Sequence, residues 1–271
     1  MATGAPMIED RRESIHKDLH GRQLAQEEGQ NRESALRILK ILFDYVEPKS
    51  VLDVGCGLGT WLRVAQELGL QEVHGIEGSW LDTKQLQVDP TRVTILDLER
   101  GFNLGRRFDL AFCLEVGEHL SPSAADPLVA SLVAHTDTVL FSAAIPFQGG
   151  HHHVNEQFPD YWSERFARYG FRPIDLLRPR IWDDRAMHWW LRQNVLIFAH
   201  ERVIAANAKL QQESEVPRAL CIVHPDVYLG RMRLANNLAA DYQKLLTTLG
   251  HGGVFRVRRQ PDGSFNFSRV E

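Results

Sequence analysis

Short apolar runs alternate with helix-periodic stretches through the middle of the chain. The runs are VLDV (51–54), VHGIE (73–77), VTIL (93–96), FDLAFCLE (108–115) and TVLFSAA (138–144). Between them lie TWLRVAQELG, closing on Gly69, and DPLVASLVAH, with Pro127 in its first turn. This alternation predicts repeated βα units and a parallel sheet. Upstream, Ala35, Ile38, Leu39, Leu42 and Val46 recur at helical spacing, which predicts a helix over 34–46 with Ser34 as N-cap and Pro48 as its stop. Downstream, a helix near 160–169 precedes FRPIDLLRP (171–179) and NVLIFAHE (194–201). These two runs flank a long loop and are expected to pair near one sheet edge.

The two ends read differently. Residues 1 to about 14 read as a tail, and a polar stretch with a thin apolar stripe follows. After 201 comes a polar segment, then a helix at about 230–249 with Leu234, Leu238, Tyr242, Leu245, Leu246 and Leu249 on one face. Pro261, Asp262 and Gly263 separate two alternating runs, which predicts a terminal hairpin. The expected organisation is therefore an N-terminal tail and helical segment (1–33), a catalytic α/β domain (34–201) and a helix-plus-hairpin extension (202–271). The extension is a candidate surface for pairing two copies of the chain.

Composition adds limits. The chain has 271 residues, 44% apolar and 24% charged, enough for a sizeable core. The formal charge of −4 argues against a nucleic-acid partner. No run approaches ~18 apolar residues, and the N-terminus lacks a secretory pattern, so neither a membrane span nor export is expected. Three cysteines without paired spacing suit a reducing, cytoplasmic setting.

The chemistry begins at VLDVGCGLGTWL. A buried strand enters a turn with Gly55, Gly57 and Gly59, and a helix follows. A dinucleotide fingerprint would need glycine where Thr60 stands. Asp53 sits two residues before the first glycine, where a carboxylate repels a pyrophosphate but can fix water or an amino group. Glu77 ends the second run, where an acid binds ribose hydroxyls in doubly wound folds. Asp97 ends the third and can accept from an adenine amine. Three strand-end acids describe a cationic adenosyl ligand better than an anionic one.

On these residues, together with Leu96-Asp97-Leu98 and the E-x-x-E-H step inside FDLAFCLEVGEHL, the chain resembles class I S-adenosylmethionine-dependent methyltransferases over roughly 35–200. The resemblance implies a doubly wound, mostly parallel seven-stranded sheet with an antiparallel hairpin at one edge. It also implies S-adenosylmethionine as cofactor. The methionine part would lie by Gly55, Cys56, Gly57 and Gly59, the ribose at Glu77, and the adenine by Asp97 and Leu98. Gly78, Ser79 and Trp80 would line the adenine edge, and Glu115 would contact cofactor or backbone.

Reacting groups in such sheets come from loops beyond the strands' carboxyl ends. Those loops carry His119 and the run His151, His152, His153, Asn155, Glu156 and Gln157. A hydroxyl acceptor benefits from a base near neutral pKa, and histidine fits best. His153 is the favoured base and His119 the second, with His152 and Glu156 as further candidates. An extended run would put His151 and His153 on one face and His152 on the other. The G-G-x-x-H-x-N-E-Q arrangement followed by Tyr161-Trp162 looks like one in bacterial methyltransferases of small polar metabolites or sugars. His151, Asn155, Gln157, Trp162, Trp182, Trp190 and Arg192 are the substrate-binding candidates. A metal would call on His151, His153 and Glu156, but adjacent residues seldom converge on one ion, so none is expected. The reading is O-methyl transfer to a small polar metabolite, natural product or sugar. N- or C-methylation and a non-catalytic cofactor-binding module remain alternatives.

Overall fold

The computed structural model describes residues 28–250, 254–259 and 265–270. They divide into two units on either side of the Ile222–Val223 junction.

The first unit is built on a seven-stranded sheet in the order β3-β2-β1-β4-β5-β7-β6. Strands β1 (Ser50–Val54), β2 (Glu72–Glu77), β3 (Val93–Ile95), β4 (Leu110–Leu114) and β5 (Thr138–Ser142) are parallel. Strand β7 (Leu196–His200) inserts antiparallel between β5 and β6 (Phe171–Ile174). This is the expected doubly wound architecture with an edge hairpin. All five residues of β1 are buried, as a strand covered on both faces requires.

Alternation along the strands sorts their side chains into two cores. Val51, Leu110, Phe112 and Leu140 meet Ile38, Leu39 and Leu42 of helix α1 (28–43) and Leu62 and Val64 of α2 (Thr60–Glu67). Leu52, Val54, Ala111, Cys113, Val139 and Phe141 meet Leu128 and Leu132 of α3 (Ala125–His135) and Phe166 of α4 (Pro159–Ala167).

Three local expectations are corrected. Ser34 is not an N-cap. The helix already runs from residue 28, and buried Ser34 lies within it, its hydroxyl donating to the Gln30 carbonyl at 2.8 Å and accepting from the His188 amide. The sixth strand stops at Ile174 rather than 179. Asp175 and Arg178 form a buried two-bond ion pair there, and Pro179 opens the short helix α5 (Arg178–Ile181). The residues just before β7 are helical, as α6 (Trp189–Asn194). Helices α7 (Glu201–Ala206) and α8 (Ala208–Ser214) follow β7 in the same unit.

The second unit holds α9 (Pro225–Gly250) and an antiparallel pair, β8 (Val254–Arg259) with β9 (Phe265–Val270), matching the expected helix and hairpin. Leu234, Leu238, Tyr242 and Leu246 of α9 are exposed. The hairpin turn and the N-terminal tail lie outside the described residues. Among the described residues, no helix is long and apolar enough to cross a membrane.

Candidate active site

Strand β1 ends in a turn that folds back over β2. The amides of Gly55 and Cys56 both donate to the Ile76 carbonyl, and Gly59 donates to the Cys56 carbonyl. Gly55 has φ 76° and lies so close to Val116 that a Cβ would stand 2.3 Å from Val116 Cγ2. Only glycine supplies both that conformation and that clearance. The turn is tied to β2 through Glu77, whose Oε2 accepts from the Gly57 amide at 2.6 Å and whose Oε1 accepts from the Gly78 amide at 2.7 Å. Burial nevertheless pushes the Glu77 carboxyl up to about 7, against the pull of the two amides. Asp53 is 3% exposed and its Oδ2 has no partner. Burial, then the Glu77 charge, holds it well above the usual carboxylate range.

These groups open on a cavity of about 910 Å³ at the carboxyl ends of the parallel strands. Asp53, Gly55, Cys56, Gly57, Glu77, Gly78, Asp97, Leu98 and Glu115 all line it, as do His119, His151, His152, His153 and Trp190. Gly59 shapes the turn without lining the cavity. Asp97 is exposed and caps the short helical turn Leu98–Arg100, accepting from the Glu99 amide.

The histidine end is assembled by backbone bonds between two loops. The amides of Val154 and Asn155 both donate to the Glu118 carbonyl, at 2.8 and 3.1 Å. That places the His153 and His119 rings edge to face, centroids 4.9 Å apart. Glu156 gathers the loop from within. Its carboxylate accepts from the amides of Phe147 and Gly149 and meets His153 Nδ1 at 2.9 Å. A Cβ on Gly150 would lie 2.2 Å from His153 Nε2, so this glycine makes room for that ring. The run is not extended, so the face-sharing an extended run would give does not apply. His152 has φ 56°, which turns the chain and brings the His151 and His152 rings within 4.1 Å.

Glu115 also has positive φ, 54°, and its carboxylate is held by Asn194 Nδ2 at 3.1 Å and Gln148 Nε2 at 3.4 Å. Asn194 and Gln193 both donate to Gln148 Oε1. Beside it, Glu118 is 0% exposed, and neither of its oxygens meets a donor in full hydrogen-bond geometry, although the Glu118 and Ala144 amides lie near. Burial raises both carboxyls, Glu118 further because the Glu115 charge is added.

A methyltransferase-domain family model matches residues 25–194. This chain belongs to that family. It is an S-adenosylmethionine-dependent methyltransferase. Among solved structures it is similar to DesVI of Streptomyces venezuelae, with 15% identity over 68% of this chain and 98% of that chain and a TM-score of 0.51. It is also similar to CalS10, an amino pentose methyltransferase of Micromonospora echinaspora, with 16% identity over 69% of this chain and 96% of that one and a TM-score of 0.47. The likeness to DesVI is in fold. No curated protein sequence matches.

The methyltransferase cavity suits its cofactor. The glycine turn leaves backbone where side chains would block, and the orphaned Asp53 oxygen and the Glu77 carboxylate offer acceptors to ammonium and hydroxyl groups.

Several substrate candidates sit elsewhere. Trp162 is 2% exposed and packs on Phe141, over Gly117. Asn155 is buried against the Gly117 carbonyl and accepts from Gln157. Arg192 is buried and donates to the Trp182 carbonyl. None of these five lines the cavity, and Glu156 orients His153 from behind the wall. Glu28 and Asn31 of α1, which line the cavity, were not foreseen. Glu28 accepts from the Thr60 hydroxyl at 2.7 Å and Asn31 from the Trp61 indole at 3.0 Å. Gln148 and Asn194 also escaped notice. No local motif marks these four; they meet the site only through packing.

Proposed function

We propose that this methyltransferase transfers its methyl group to a hydroxyl oxygen of a small polar metabolite, natural product or sugar. The observation that carries the reading is the His153–Glu156 pair, beside His119 on the cavity that Asp53 and Glu77 also line.

When bound, the cofactor supplies an electrophilic methyl group on a sulfonium. Glu77 and the Gly57 and Gly78 amides form one hydrogen-bonded unit that would receive the ribose. Asp53 offers a buried carboxylate to a positive group. Toward the histidines, the Glu156 carboxyl meets Nδ1 of His153, and with the proton on Nδ1 the Nε2 lone pair is left to take the acceptor's proton. The exposed edges of His151 and His152 and the Trp190 ring border the same cavity and would meet the acceptor's body. His153 would take the proton of the acceptor's O–H bond, and the cofactor would supply the methyl group that replaces it, keeping the S–CH3 electron pair on its sulfur.

The test is a panel of hydroxylated metabolites, sugars and amines incubated with methyl-labelled cofactor. A methyl ether product is expected, and H153A should lose roughly 10²- to 10⁴-fold in kcat with cofactor affinity retained. An N-methyl product, or an H153A variant at the parent rate, overturns the reading.

A further inference from the structure

One coordinating atom each from Glu118, His119 and His153 lies within 4.8 Å of the other two. We propose that these three side chains form a binding site for one divalent transition-metal ion, which binds the acceptor oxygen directly. This deepens the reading of an oxygen acceptor at the histidine end of the cavity and rests on it for the metal's role, though not for the metal's binding.

Three observations carry the site. First, Glu118 is completely buried, and neither carboxylate oxygen meets a donor in full hydrogen-bond geometry. The backbone amides of Glu118 and Ala144 lie near it, but its side-chain neighbour is a second carboxyl, Glu115. Two adjacent buried carboxyls require a shared proton or a cation. Second, the position is constructed. The Glu118 carbonyl anchors the Val154 and Asn155 amides, so the backbone beside one ligand fixes the place of another, His153. Third, His153 presents Nδ1 to Glu156 Oε1 at 2.9 Å, leaving Nε2 for a metal. A carboxylate behind a ligating imidazole fixes its tautomer and orientation, as in many metal sites.

The donor set selects the ion class. Two imidazoles and one carboxylate suit Mn(II), Fe(II), Co(II) or Zn(II) better than Mg(II) or Ca(II), which prefer all-oxygen shells. His119 is exposed and all three ligands line the cofactor cavity, so further coordination positions would face the acceptor. A hydroxyl on such an ion loses its proton near neutral pH. In the metal-loaded protein the acceptor's acidity therefore comes from the ion, the proton passes to water, and His153 serves as ligand. In the metal-free protein His153 remains the base. No metal was expected from sequence, and the alternative set named there, His151, His153 and Glu156, is not the one proposed, because Glu156 spends its oxygens on two amides and the imidazole.

The experiment uses the full chain stripped with a chelator and titrated with Co(II) alone. One Co(II) per chain is expected by calorimetry, with visible d–d absorption of an N/O-coordinated ion. H119A and E118A should each weaken binding by 100-fold or more, while S-adenosylmethionine affinity stays within about threefold of the parent. E118D, which retains a carboxylate, should recover part of the loss. Absence of stoichiometric Co(II), or unchanged Co(II) affinity in a folded H119A variant, overturns the site. If Co(II) fails to bind while methyl ethers still form through His153, the site is wrong and the acceptor reading stands. If Co(II) binds as described but only amines are methylated, the site stands and the acceptor reading fails.

Discussion

The Gly57 amide donates to Oε2 of Glu77 at 2.6 Å, joining the tip of the first βα turn to the end of the second strand. One carboxylate thus holds the turn in place and presents acceptors to the cavity. Glu77→Ala removes both roles. Each lost charge-assisted bond is worth about 1.5–3 kcal/mol, so cofactor affinity should fall at least ~100-fold. Calorimetric titration of a variant with native circular dichroism checks this. Affinity within threefold of the parent would exclude the role.

Glu77 also makes the protein pH-sensitive. Its carboxyl ionises at about 7 in the fold against an ordinary value of 4.5, so the folded state binds the proton more tightly than the unfolded state. By linkage, this group's contribution favours folding at low pH, and stability is lost as pH rises from about 4.5 to about 7 before levelling. The shift corresponds to about 3 kcal/mol. Denaturant titrations of the cofactor-free protein at pH 5 and pH 8, compared with a Glu77→Ala reference, should show most of that difference, about 2.5 kcal/mol. Cofactor binding runs the other way. It favours the ionised carboxylate and should strengthen up to about pH 7, with proton release visible as buffer-dependent heats.

Gly55→Ala places a Cβ against Val116 at a backbone φ of 76°. The left-handed conformation costs about 1–3 kcal/mol and the overpacking a similar amount. Val116→Ala should relieve only the second part. A double-mutant cycle by urea unfolding should therefore give a favourable coupling of at least about 1 kcal/mol. Strict additivity would show that the two residues do not meet.

Trp162 belongs to the core, on Phe141 and Gly117. Trp162→Ala should destabilise by about 3–5 kcal/mol. Trp162→Phe drops an indole N–H that lacks a partner and should leave the acceptor KM within twofold. A large KM change in the Phe variant would return Trp162 to the substrate site.

Local pattern carried the scaffold. Apolar runs of strand length between helical stretches, with Gly55, Gly57 and Gly59 after the first, determined the parallel sheet. Asp53, Glu77 and Asp97 marked the cofactor end, because strand ends and tight turns are set by near neighbours in the chain. Tertiary packing decided the rest. Ser34 reads as a cap until the helix is seen to begin earlier. Glu156 reads as one more loop acid until it gathers two amides and His153. Asn194 and Gln148 have no motif, yet they hold Glu115 across 79 and 33 positions. Which of the adjacent histidines meets His119 depends on the bend at His152 and on amide bonds to the Glu118 carbonyl. Those are contacts between distant segments, and a period along the chain holds no record of them.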